Sequence, residues 1–246
     1  MTAVTTEEPP KSPFRSLRML WHRLTGTRIA VLDGVRLHVG PGAVPRSVST
    51  AIFKDMYEAP ERMLVAEAVR PGDTVVEIGT GIGFISLLAA RLAQPGRVHS
   101  YEANPALKPV IEANYALNGL TPDLTMKAVT GDGAPVEFFA NDNIVSSSTQ
   151  DRGLAARKIR VDSEALDAVL ARTRPTVIVI DIEGAEIGVL AESPLAGVRE
   201  LVIELHPHIV GDGPTASLLD SLAARGFRLV RRVHKNVRMT RPAEQA

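Results

Sequence analysis

Between residues 60 and 232 the chain alternates apolar runs of strand length with amphipathic stretches of helix length, which predicts an α/β fold. Two further observations make this a doubly wound, mostly parallel seven-stranded sheet that carries a ligand. The runs ending at Glu77, Glu102 and Asp181 each close on an acid, and the first continues into Gly79-Thr80-Gly81-Ile82-Gly83. An open sheet of this kind places its ligands outside the carboxyl ends of its strands. With 246 residues, 45% of them hydrophobic, the chain can bury one large core. One domain over 60–246 is therefore expected, preceded by an extension at 13–59 and a tail at 1–12.

The elements follow in order. Residues 1–12 hold Thr, Glu and Pro with little to bury and are expected to be disordered. Phe14, Leu17, Leu20, Trp21 and Leu24 recur at helical spacing among basic residues, as in a helix docked on its own domain or on a membrane or partner surface. Ile29 to Val39 reads as two short strands around Asp33-Gly34, a pair suited to the positive φ of a tight hairpin turn. Strands are predicted at 74–78, 97–101, 124–129, 176–181, 200–205 and 227–232, with helices near 60–70, 83–93, 106–118, 183–191 and 214–225. Val136 to Ala140 and Lys158 to Val161 interrupt the rhythm as an extra strand pair around the polar loop 141–153, a length usual for a functional loop such as a lid. Phe227 to Met239 predicts a closing antiparallel hairpin.

Composition excludes several classes. Lys plus Arg and Asp plus Glu number 28 each, so no global field gathers polyanions, and bulk nucleic-acid binding is not expected. The absence of cysteine removes disulfides, thiolate nucleophiles and Cys-based zinc sites, leaving His, Asp and Glu as metal ligands. No stretch reaches about 18 uncharged apolar residues. Met1 to Pro13 is acidic and polar rather than basic then apolar, so no transmembrane segment and a cytoplasmic location are expected.

The motifs sharpen the site. Glu77-x-Gly79-x-Gly81-x-Gly83 follows a strand and opens a helix, where glycines let the backbone turn tightly and approach a ligand. Glycine also serves plain strand-to-helix turns. Its spacing differs from the Gly-x-Gly-x-x-Gly of dinucleotide folds, so S-adenosylmethionine (SAM) is expected rather than NAD. Glu102, at the end of the next strand, is placed to accept two hydrogen bonds from ribose hydroxyls. Asp181-Ile182-Glu183-Gly184-Ala185-Glu186 crowds carboxylates at a strand end, which requires a cation, a metal or helix N–H groups nearby, although Glu183 and Glu186 also suit a plain helix start. Period-two alternation puts Glu204 and His206 on one side of the following strand, toward Asp181 if the strands are neighbours.

On these motifs the chain resembles the FkbM family of SAM-dependent methyltransferases, from about Tyr57-Glu58 to His206. The Gly-rich loop, Glu102 with Asn104-Pro105, Asn118-Gly119, Leu166-Asp167 and Asp181 to Glu186 carry the likeness. Val179 stands where the family usually has Lys, and Thr80-Gly81 where it usually has Ala-Asn. The resemblance implies a Rossmann-like class I methyltransferase fold and methyl transfer from SAM, releasing S-adenosylhomocysteine (SAH). It implies as acceptor an oxygen of a sugar, polyketide or other small hydroxylated metabolite. Glu77, Gly79, Gly81, Glu102 and Asp181 are then the cofactor residues, with adenine near Ala128 to Gly133. His206, Asp181 and Glu204 are the candidates for substrate positioning and proton removal. A histidine base is expected in preference to a divalent metal, because no tight metal-ligand spacing is present.

Two other readings compete. Arg225, Arg228, Arg231, Arg232, Lys235, Arg238 and Arg241 suggest a nucleic-acid methyltransferase, against which one Trp and three Tyr leave few stacking platforms. A non-catalytic SAM-binding interaction module is the other.

Overall fold

The computed structural model describes residues 26–94, 97–141 and 156–242. The expected tail at 1–12, the basic amphipathic stretch at 14–24 and nearly all of the 141–153 loop lie outside them. A short hairpin comes first: β1 (Ile29–Leu32) and β2 (Val35–His38) pair antiparallel, and Asp33 and Gly34 take φ of 46° and 77° at the turn. Helices α1 (Arg46–Phe53) and α2 (Ala59–Ala68) lead to the sheet. There β3 (Val75–Ile78), α3 (Phe84–Ala93), β4 (Val98–Tyr101), α4 (Lys108–Leu117) and β5 (Asp123–Thr125) alternate as expected. After two satellite strand pairs come α5 (Leu166–Thr173), β10 (Val177–Ile180), α6 (Glu186–Leu190) and β11 (Glu200–Glu204). The described chain closes with α7 (Pro207–Val210), α8 (Asp212–Ala224), β12 (Arg228–Val233) and β13 (Asn236–Thr240).

The seven-stranded sheet runs β12-β13-β11-β10-β3-β4-β5. Pairing is parallel from β11 to β5, and β13 is antiparallel to both of its neighbours. The apolar run Val177-Ile178-Val179-Ile180 does not alternate with polar residues because both of its faces are covered. Val177 and Val179 enter one core with Leu64, Leu87 and Ile111, while Ile178 and Ile180 enter a second core with Leu166, Leu190 and Leu218. Period-two alternation thus divides the strand between two helical layers, the doubly wound arrangement.

One predicted element divides. The strand expected at 124–129 is β5 plus a separate β6 (Ala128–Thr130), which leaves the main sheet to pair in parallel with β9 (Ser163–Ala165). The extra pair is present as β7 (Val136–Asn141) and β8 (Ala156–Val161), antiparallel and outside the main sheet. Because β4 lies on one side of β3 and β10 on the other, the sheet switches direction at β3. The carboxyl ends of these strands open there into a crevice. Among the described residues no helix is long and apolar enough to cross a membrane.

Candidate functional site

The Gly-rich turn begins where β3 ends. Gly79, Gly81 and Gly83 take φ of 93°, 57° and 83°, in the region that favours glycine. At Gly79 a neighbour also forbids a side chain, since a Cβ there would stand 1.9 Å from the backbone oxygen of Asp181. At Gly81 the nearest atom to a Cβ would be the Tyr57 hydroxyl at 3.8 Å. Glu77 is buried beneath the loop and its Oε2 accepts the Thr80 hydroxyl at 2.8 Å. Burial pushes the Glu77 carboxyl up to about 7. Glu102, also buried, accepts the N–H of Gly81 at 2.9 Å on Oε2 and that of Asn104 at 2.7 Å on Oε1. Burial likewise pushes Glu102 up to about 7, against the pull of these N–H groups.

On the other side of β3 the acids gather. Ile180 pairs with Ile203, so Asp181 and Glu204 leave adjacent parallel strands one step later. Glu204 accepts Asn236 Nδ2 at 3.1 Å on Oε2 and meets Lys235 Nζ on Oε1. His206 is fully buried, with Nδ1 2.7 Å from Glu186 Oε1, an oxygen that also accepts the Gly184 N–H at 3.0 Å. Its Nε2 lies 3.4 Å from Glu183 Oε2, 3.5 Å from Glu204 Oε1 and 3.6 Å from Asp181 Oδ1. Neither Nε2 of His206 nor Oδ1 of Asp181 finds a hydrogen-bond partner among the described residues. Burial works to lower the His206 pKa, but Glu186 and then Glu204 and Asp181 outweigh it and raise it to about 10. Burial, then Glu204 and Glu58, drive Asp181 well above the usual carboxylate range, and burial lifts Glu58 to about 7.

A cavity of about 770 Å³ joins the two halves. Gly79, Gly81, Glu102 and Asp181 line it, as do Ala128 to Asp132 on one side and Tyr57, Glu58, Glu61 and Glu183 on the other. Glu77, Glu204 and His206 are absent from its lining and stand behind it. Glu77 meets the loop through Thr80, and His206 faces Asp181 and Glu183 of the wall. Sequence reasoning missed Glu58 and Glu61 as wall residues. The only signal for them was the Tyr57-Glu58 pair just ahead of α2, noted as a family marker.

The Methyltransferase FkbM domain matches residues 77–229. Protein-L-isoaspartate O-methyltransferase of Methylorubrum extorquens (strain PA1) is 32% identical over 150 residues, 54% of this chain and 62% of that protein. The probable ribosomal RNA small subunit methyltransferase A of Methanosarcina acetivorans is 32% identical over 87 residues, 35% of this chain and 30% of that protein. The chain thus spans less than two thirds of each of these curated relatives. The ribosomal protein L11 methylase structure from Lactobacillus delbrueckii subsp. bulgaricus aligns with a TM-score of 0.46 at 15% identity, covering 82% of this chain and 84% of that one.

These findings correct the extent of the family resemblance read from sequence. The matched segment omits Tyr57-Glu58 and runs beyond His206 into β12, so the resemblance was placed wrongly at both ends. The finer reading, O-methylation of a small metabolite, is not carried by these relatives, one of which is named for a protein and one for a ribosomal RNA acceptor. What the comparisons support is a class-I Rossmann-fold SAM-dependent methyltransferase, with SAM and SAH as cofactor and product.

Proposed function

The chain belongs to the methyltransferase FkbM domain family, and on that premise we propose that it moves the methyl group of SAM to an acceptor held against its acidic wall. The observation that carries this is one cavity bordered by Gly79, Gly81 and Glu102 at one end and by Glu58, Glu61, Asp181 and Glu183 at the other. Glu102 would hold the ribose of SAM, Ala128 to Asp132 its adenine, and the Gly-rich loop its methionine end. Acids at that end suit a cationic cofactor. When bound, SAM would supply the methyl group, its sulfur–carbon bond breaking as the acceptor bonds the methyl carbon in line. Positioning supplies much of the acceleration. Asp181, which borders the cavity, holds the acceptor by its hydrogen and receives the proton. Glu204 and His206 stand behind Asp181, with His206 Nε2 3.6 Å from its Oδ1. The acceptor group is accordingly one that donates hydrogen bonds or carries positive charge.

A nucleic-acid acceptor is the second reading, and the match to the protein named as a ribosomal RNA methyltransferase favours it. An exocyclic base amine also donates hydrogen bonds and suits the same wall. The arginines near the C-terminus add little to this reading. Arg225 bonds the carbonyl of Leu190, Arg241 that of Val198, and Arg238 pairs with Glu200. Incubation with methyl-labelled SAM and separate pools of small metabolites, RNA and protein tests both readings. Label in one pool identifies the acceptor class, and label in none of them defeats the methyl-transfer reading.

A further inference from the structure

We propose that Asp181, Glu204 and His206 form a binding site for a divalent transition ion, Zn²⁺ by its chemistry, just behind the cavity wall at Asp181. One ligand atom from each of the three lies within 4.8 Å of the others. The strongest observation is His206 itself. Its ring is fully buried, yet Nε2 has no hydrogen-bond partner among the described residues and faces only carboxylate oxygens. Those oxygens, on Glu183, Glu204 and Asp181, stand 3.4, 3.5 and 3.6 Å away. Such separations are long for hydrogen bonds but match the edge of a four-coordinate site. Ligands about 2.0–2.2 Å from one tetrahedral ion lie about 3.4 Å from each other.

The other side of the ring fits the same purpose. Glu186 holds Nδ1 at 2.7 Å from a fully buried position, which fixes the ring with Nε2 turned to the acids. A ligating histidine almost always donates its second nitrogen to such a carboxylate. An imidazole among carboxylates suits zinc better than magnesium or calcium, which favour all-oxygen sites. Lys235 Nζ competes for the same Glu204 oxygen, but its side chain is 46% exposed and can withdraw into solvent. Glu58 and Glu61 gather with Asp181 in a second acidic triad beside the site.

Calorimetric titration of Zn²⁺ into the full, chelator-dialysed chain tests the proposal without any SAM, so its outcome is independent of methyl transfer. One ion per chain is expected. Asp181→Asn and His206→Ala should each weaken binding by at least about tenfold, and Glu186→Gln by about 10–100-fold. Lys235→Met should tighten it. Thermal melts identify any variant that fails to fold, and the unmodified chain gives a second readout. With Co²⁺ as probe it should show the intense visible bands of a tetrahedral site. Absence of Zn²⁺ binding at millimolar concentration, a weak octahedral Co²⁺ spectrum, or binding unchanged in folded Asp181→Asn and His206→Ala would each overturn the site.

Discussion

The backbone oxygen of Asp181 lies where the side chain of residue 79 would begin, 1.9 Å from an ideal Cβ on Gly79. The Gly-rich loop and the acidic strand end are therefore in contact, which lets one cavity touch both. Gly79→Ala must push the loop from β10 or break its turn. Gly81→Ala meets nothing closer than 3.8 Å and suffers only the left-handed backbone, costing about 1–2 kcal/mol. Denaturant unfolding should show the larger loss at Gly79, and SAM affinity should fall further there. Equal effects would mean that contact with Asp181 does not shape the loop.

Glu102 gives a dependence on pH. Its pKa in the folded chain is raised to about 7 by burial, so the carboxylate that ribose hydroxyls require is the minority form at pH 6 and the majority form at pH 8. SAM affinity should rise about tenfold across that interval. The sign for folding is opposite. A raised carboxyl contributes stability that is fully present below its unfolded pKa and lost as pH rises through about 7. Glu102→Gln should flatten the affinity profile and reduce the slope of stability, part of which stays because Glu77 and Glu58 are also raised to about 7. Glu102→Ala should cost about 1–3 kcal/mol in SAM binding at pH 8. Affinity unchanged between pH 6 and pH 8 in the unmodified chain would remove Glu102 from the ribose.

Asn114 links the first hairpin to the Gly-rich loop. Its buried Oδ1 accepts the His38 N–H at 2.8 Å and its Nδ2 donates to the Ile82 carbonyl at 2.8 Å. Asn114→Ala leaves two backbone groups short of a partner, at about 1–3 kcal/mol for each one that stays buried. Faster amide exchange over β1 and β2 is the expected sign. Exchange that remains unchanged would show that the hairpin is held by its apolar contacts alone.

Much of this architecture was legible because strand, turn and helix each leave a local mark. Asp33-Gly34 marked its hairpin, and the strand-end acids Glu102 and Asp181 marked the cavity. What local pattern cannot carry is which sheet a short strand joins. Residues 124–129 therefore read as one strand, although Met126 and Lys127 separate β5 from β6. The Glu186–His206 contact was equally hidden. It spans 20 residues and exists only because β10 and β11 are neighbours. Glu58 and Glu61 escaped notice as wall residues because they reach the cavity from the start of α2 and the residue before it, outside the strand ends where ligand residues were sought.

A crystal structure of the chain soaked with SAH tests the central claim most directly. SAH should lie in the cavity with both ribose hydroxyls on Glu102, its adenine against Ala128 to Asp132 and its sulfur facing the Asp181 side. SAH bound elsewhere, or a cavity left empty at saturating SAH, would contradict the account.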